Sequence, residues 1–288
     1  MISADMRGAF NIISWSTEYA RMISDAGYGN AFVATMIAAP LTFLELSLNY
    51  RNLPQKFISP FGGTFGINSA TAQNETGFYL GSKVVVVPDQ FWFFSSANIS
   101  QSLNTLGNTL HYSDILLGSE YTYGILRLAV QLRSYGKGPV FSITGDSLSK
   151  NSFRFDAEAE LSKTISASFR GELQRSYSAV SNAPKGGYLL GVGLYYLPTE
   201  EFSVSSGMAF FGTDSYASRF YSNEADLPGS VPFVALYGSG YRYYVQCSYD
   251  PINALTLSAR IGETRYTASP GSPPLHKTTI GVQCDVAF

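Results

Sequence analysis

Residues 151–175, NSFRFDAEAELSKTISASFRGELQR, alternate between apolar and polar side chains along two successive arms. In the first arm Phe153, Phe155, Ala157, Ala159 and Leu161 share one phase, and Ser152, Arg154, Asp156, Glu158 and Glu160 share the other. After the polar turn Ser162-Lys163-Thr164, Ile165, Ala167, Phe169 and Leu173 take the apolar phase. Ser166, Ser168, Arg170, Glu172 and Gln174 take the polar one. Successive side chains leave a strand on opposite faces, so this spacing predicts a β-hairpin with one apolar and one polar face. Each arm is about as long as the ~9–11 residues a tilted strand needs to cross a bilayer, against ~5–6 for strands of soluble domains. A sheet of such strands has to close into a barrel, because lipid offers no partner to an unpaired N–H or C=O.

Much of the chain repeats the pattern. Phe10–Ala20 and Tyr28–Ala39 are expected to form the first pair, joined through Ser24-Asp25-Ala26-Gly27. Thr42–Arg51 points Leu44, Leu46, Leu48 and Tyr50 outward, and Glu45, Ser47, Asn49 and Arg51 inward. Asn74–Val87 and Phe91–Ser100 follow. Residues 101–118 are expected to be loop, and Ser119–Arg133 one long strand or two short ones with a bulge at Gly124. Val140–Thr144 is a further candidate. Beyond the opening hairpin come Gly187–Leu197, Phe202–Phe211, Leu236–Tyr249, Ala254–Tyr266 and His276–Phe288. Short connections near 40, 88, 162, 198 and 250 alternate with long ones near 53–73, 178–186, 212–233 and 268–275. Outer-membrane barrels have short periplasmic turns and longer external loops, which puts the C-terminus on the periplasmic side. The expected fold is all-β, one antiparallel transmembrane β-barrel over residues 1–288 with about 14 strands, 12 being the alternative.

Composition fits this reading. Charged residues are 14% of the chain, against roughly 25% in soluble domains. The net charge of -2 carries no basic footprint for nucleic acid. No apolar run reaches the ~18 residues of a membrane helix. The start, MISADMRGAFNII, lacks the basic and apolar regions of a signal peptide, so an exported form is expected to be mature or a C-terminal piece of something longer. Cys247 and Cys284 lie on apolar phases, as small lipid-facing side chains would.

The last strand places Ile280, Val282, Cys284, Val286 and the terminal Phe288 on one face. A final strand ending in phenylalanine resembles the assembly signal of bacterial outer-membrane barrels, with Phe288 as its terminal residue. Segments LSLNYRNLPQKFISPFGGTFG (46–66), QNETGFYLG (73–81), RFYSNEADLPG (219–229) and YGSGYRYYVQCSYDPINALTLSARIGETRY (237–266) resemble a little-characterised barrel domain that follows helix-hairpin-helix repeats in Gram-negative envelope proteins. The repeats themselves are absent, so no DNA-related role carries over. The resemblances imply a bacterial outer-membrane location, with membrane lipid and the barrel assembly machinery as partners.

The polar phases carry both signs: Glu45, Arg51, Glu75, Lys83, Arg154, Asp156, Glu158, Glu160, Arg170, Glu172, Arg242 and Arg260, with Arg127, Arg133, Lys277 and Asp285. They make either a charged path for small solutes or a lumen braced by salt bridges, since opposite charges on facing strands pair readily. No spacing suits a metal, and no cofactor motif occurs. His111 near Asp114, and His276 near Ser269 and Ser272, form no recognisable catalytic motif, so no catalytic residue is assigned. Tyr and Trp near strand ends, among them Trp15 and Trp92, fit interfacial girdles. The expected function is a non-enzymatic channel for small solutes or a narrow-lumen membrane anchor. The alternatives are an outer-membrane hydrolase and the barrel anchor of a larger envelope binding protein. The long connections 53–73 and 212–233 carry Phe57, Ile58, Phe61, Phe65, Phe220, Tyr221, Leu227 and Val231, which are expected to fold inward out of water.

Overall fold

The computed structural model describes residues 1–24, 27–57, 74–103, 107–138, 148–178, 181–230, 233–252, 254–267 and 275–287. The chain is all-β. Its strands are β1 (Ile2–Phe10), β2 (Ile13–Ser24), β3 (Gly27–Leu41), β4 (Leu44–Leu53), β5 (Glu75–Val87), β6 (Phe91–Leu103), β7 (Thr109–Tyr123) and β8 (Leu126–Gly138). There follow β9 (Leu148–Glu160), β10 (Ile165–Ser178), β11 (Ser181–Thr199), β12 (Phe202–Thr213), β13 (Phe220–Asn223), β14 (Phe233–Leu236), β15 (Ser239–Ile252), β16 (Leu255–Tyr266) and β17 (His276–Val286). One 3-10 turn lies at Tyr216–Ser218. The strands follow chain order in one sheet of fifteen, from which β13 and β14 are set apart as a separate pair. The pairings of β1 through β6, and of β11, β12, β15, β16 and β17, are antiparallel. This is the expected fold class at the level the pairings show, all-β with long antiparallel strands.

Among the described residues the main sheet has fifteen strands rather than 14. Two misreadings explain the difference. Ile2–Phe10 is a strand, paired to β2 through a turn in which Asn11 takes φ 51°. The apparent slip at Gly124 is a hairpin turn, not a bulge, because φ +56° there reverses the chain between β7 and β8. Most of 101–118 is therefore strand. The expected long connection at 178–186 is also largely strand, since β10 runs to Ser178 and β11 begins at Ser181. Val140–Thr144 lies outside the described residues.

True register shifts occur near short turns. They fall between Val85 and Val87, where no proline lies, and between Ala38 and Leu41, Tyr196 and Thr199, and Tyr249 and Ile252. Pro40, Pro198 and Pro251 sit inside the last three gaps. Proline has no N–H to give the ladder, so pairing skips it and resumes at the turn.

The chain divides into two compact units. The first comprises residues 1–120, 131–151 and 177–183. Here Tyr50 packs its ring on Phe78 on the apolar face, at 4.8 Å between centroids. Leu80 on that face is 55% exposed, whereas Arg51 on the polar face is fully buried. Ala20, Ala31, Leu53 and Phe57 form a small core on the side that carries Arg51. Phe57 reaches it because Gly29 has no Cβ: one would stand 2.7 Å from the Phe57 nitrogen.

The second unit comprises residues 121–130, 152–176 and 184–288. On β11, Tyr188, Leu190, Val192, Leu194 and Tyr196 are all exposed, as expected. Leu189, on the opposite phase, is 3% exposed. On β17, Ile280, Val282 and Val286 are exposed. Cys247 and Cys284 are free and on apolar phases, with β16 between their strands.

The two phases should answer differently to charge. Leu80→Arg is expected to cost about 2–4 kcal/mol, because it puts a cation in lipid. Ser96→Arg, on the polar phase opposite Gly81, should cost far less. Denaturant unfolding in lipid vesicles measures both; equal costs would mean that the two phases do not face different surroundings, and the opposite order that the strand phase is reversed.

Candidate functional site

The densest polar constellation lies in the second unit, where the connection from β12 to β15 turns back onto the polar face. Thr213 N–H donates to the Gly238 carbonyl, and Gly238 N–H to Thr213 Oγ1, which pins the base of the connection. Asp214 N–H donates to the Gly186 carbonyl, and Gly186 N–H donates back to Asp214 Oδ2. Phe220 of β13 and Leu236 of β14 are then buried with Leu189, Ala209 and Phe211 of the sheet. Gly187 makes the room, since a Cβ there would meet the Phe220 ring at 2.9 Å. Burying such side chains is worth roughly 1.5–3 kcal/mol each, so the base of the connection is fastened independently of its charges.

Its tip carries the chemistry. The Glu224 carboxylate accepts from Arg242 Nε at 2.5 Å and Nη2 at 2.9 Å, one to each oxygen. Arg260 Nη2 donates to Glu224 Oε2 at 2.5 Å. Arg242 Nη1 donates to Thr264 Oγ1 at 2.8 Å, and Arg260 Nε to the Ala225 carbonyl at 2.9 Å. Asp226 Oδ1 lies 3.4 Å from Arg260 Nε. All three charged side chains of the Arg242–Glu224–Arg260 group are less than a tenth exposed. Leu227 fills the space over Gly281, and Gln283 Nε2 donates to the Pro228 carbonyl at 3.0 Å. Beside Glu224 is a cavity of about 190 Å³ lined by Arg154, Asp156, Arg170, Ser222 and Arg242 among others.

In the first unit Arg51 and Glu75 form a second buried pair. Arg51 Nε donates to Glu75 Oε1 at 2.7 Å, Nη2 reaches the same oxygen, and Nη2 also donates to Asn98 Oδ1 at 2.7 Å. Glu45 faces Lys83 in register, and the Lys83 ammonium sits 5.3 Å from the centre of the Trp92 ring. Trp92 therefore shares the Lys83 phase rather than the apolar girdle expected for it.

Several of the remaining charges pair with one another. Arg154 holds Asp156 at 2.6 and 2.9 Å, and Arg170 holds Glu172 at 2.7 Å. Both pairs run along one strand, two residues apart, rather than across strands. Arg127 meets Glu158 at 3.0 Å, and Arg133 grips Asp114 at 2.8 and 2.5 Å. Asp114, weighed beside His111, is thus bound to an arginine. Glu160 is exposed beside the Ser162 turn. Asp285 accepts from Gln283 at 2.9 and 3.0 Å. Phe288, Ser269, Ser272, Ile58, Phe61, Phe65 and Val231 lie outside the described residues. No group of three or more potential metal ligands occurs among the described residues.

Glu224 was invisible to strand periodicity because it lies between strands. One signal was present: SNEADLPG puts two carboxylates two residues apart in the connection.

No protein-family model matches the chain, and no curated protein sequence matches it. Among solved structures it is similar to the outer-membrane-expressed OmpT of Vibrio cholerae, with 10% identity, TM-score 0.49 and coverage of 86% of this chain and 87% of that one. It is also similar to the anion-selective porin from Comamonas acidovorans, with 9% identity, TM-score 0.44 and full coverage of both chains. Likeness at these scores bears on neither activity nor substrate.

The buried and exposed ion pairs differ in energetic weight. Arg51→Met, which takes the buried arginine away from Glu75, is expected to cost about 3–5 kcal/mol. Pairing it with Glu75→Leu should recover most of that. Arg127→Met, at an exposed pair, should cost about 0–1 kcal/mol. Urea midpoints of the three variants decide this, and a large loss at Arg127 would contradict the assignment.

Proposed function

We propose that the chain is a non-enzymatic bacterial outer-membrane β-barrel that passes small solutes along a narrow polar path restricted by its own connection 214–238. The apolar phase, exposed strand after strand, supports lipid as its surroundings. The observation that carries the channel reading is Glu224, held on the polar face by Arg242 and Arg260. A connection that ended in solvent would have no reason to bury a carboxylate between two arginines. Fifteen strands fall between the ~8 whose side chains fill a barrel and the 16–18 of wide porins, so an inward connection sets the bore. The resemblance of segments 46–66, 73–81, 219–229 and 237–266 to a barrel domain that follows helix-hairpin-helix repeats favours one further reading, in which this channel also anchors a larger envelope protein.

Planar-bilayer recordings test the channel. The intact chain should give a small, stable conductance. Replacing residues 219–236 by a short Gly-Ser linker should raise conductance several-fold while heat-dependent gel mobility is kept. A large conductance in the intact chain, unchanged by the replacement, would overturn restriction by this connection.

A further inference from the structure

We propose that Arg242 and Arg260 form a carboxylate-binding site which Glu224 fills at rest and which a small carboxylate-bearing solute takes over in transit; this rests on the channel reading above. The donors belong to the sheet and the acceptor does not. Arg242 lies on β15 and Arg260 on β16, antiparallel neighbours, and Thr264 fixes the far nitrogen of Arg242. Three guanidinium N–H groups thus converge on one carboxylate from a rigid frame. A guanidinium fork recognises the planar carboxylate, whatever carries it.

The carrier here is a tether whose two parts are fastened differently. Its base is locked by Phe220 and Leu236 in the apolar cluster. Its tip, from Glu224 to Ser230, is held mainly by polar contacts that water or solute can replace, Arg260 to Ala225, Gln283 to Pro228 and the ion pairs themselves, with one half-buried apolar side chain, Leu227, over Gly281. The tip can leave without unfolding the base. The cavity beside Glu224 gives an incoming molecule a place to stand.

Charge selects what enters. Arg154 and Arg170 on the cavity wall are matched by Asp156 and Glu172, and Glu158 by Arg127. Glu224 and Asp226 both lie on the tip, so when it withdraws Arg242 loses Glu224, and Arg260 loses both carboxylates. An anion restores the balance, and a cation worsens it. The tethered carboxylate competes at a high local concentration, so the solute binds weakly and leaves again, as conduction requires.

Chemical rescue tests the site in the full chain, in detergent, with acetate against chloride at matched ionic strength. Glu224→Ala should lower the temperature at which the folded gel band is lost, and acetate should raise it again saturably. The wild type should not respond, nor should Glu224→Ala combined with Arg242→Met and Arg260→Met. If Glu224→Ala does not fold, Glu224→Asp, one methylene short, should respond to acetate more than the wild type. Equal responses in the variants with and without the arginines, or no response of Glu224→Ala or Glu224→Asp, would overturn the proposal. In bilayers, succinate should reduce chloride current in Glu224→Ala at a concentration at least about tenfold below that needed in the wild type, since the tethered competitor is gone. Equal concentrations would count against the site. If no variant conducts, the channel reading fails, while acetate rescue still reports on the arginines.

Discussion

Everything in this structure follows from giving two opposite solvents to the two phases of one strand. Leu190 and Val192 are exposed while Leu189 between the first of them and Tyr188 is buried. An exposed leucine or valine at every second position is costly in water and favourable in lipid. Once that phase is committed to the bilayer, no charged side chain can sit on it cheaply. With the Glu263–Arg265 pair near the end of β16 an exception on the apolar phase, most of the ionic chemistry of the described residues is therefore pressed onto the other phase. There it has to find partners within reach, because stranded charges away from water are costly.

Two solutions to that problem appear. Arg154 with Asp156, and Arg170 with Glu172, pair along their own strands, where i and i+2 share a face. These pairs leave both groups partly hydrated. Arg51 with Glu75, and Arg242 with Arg260, are buried, and each recruits more than one partner. For Arg242 and Arg260 the sheet alone supplies too little negative charge. The connection brings Glu224 and Asp226 to complete it. The inward course of that connection is thus as much an electrostatic requirement of the sheet as a burial of its own phenylalanine and leucine.

The parts legible in the sequence are those governed by period two. The exposed phases of β11 and β17 follow directly from their alternation. The strand count was less legible, for local reasons. β1 carries Ala4 and Gly8 on the phase that elsewhere holds Leu or Val, and Gly8 is small because the Trp15 indole lies over it. The turn at Gly124 has the same length-two signature as a bulge until its positive φ is known. Prolines at 40, 198 and 251 marked short turns correctly, but each lies inside a strand end, at a skipped register. The arginines of the candidate site were legible as polar-phase residues. Their partner was not, since alternation says nothing of where a non-repeating segment comes to rest.

That asymmetry bears on what the connection is for. A brace meant only for stability would gain more from apolar contacts, because a buried ion pair seldom outweighs a hydrophobic replacement. This connection has both kinds of contact and, apart from Leu227 over Gly281, keeps them apart. Phe220 and Leu236 hold the base in an apolar cluster, while Glu224 and the residues after it meet the sheet through donors and acceptors. Apolar contacts are indifferent to solutes, whereas a carboxylate on two guanidinium groups can be exchanged for another carboxylate. Placing the exchangeable contact at the tip, and the indifferent one at the base, lets the segment yield to an anion without losing its seat.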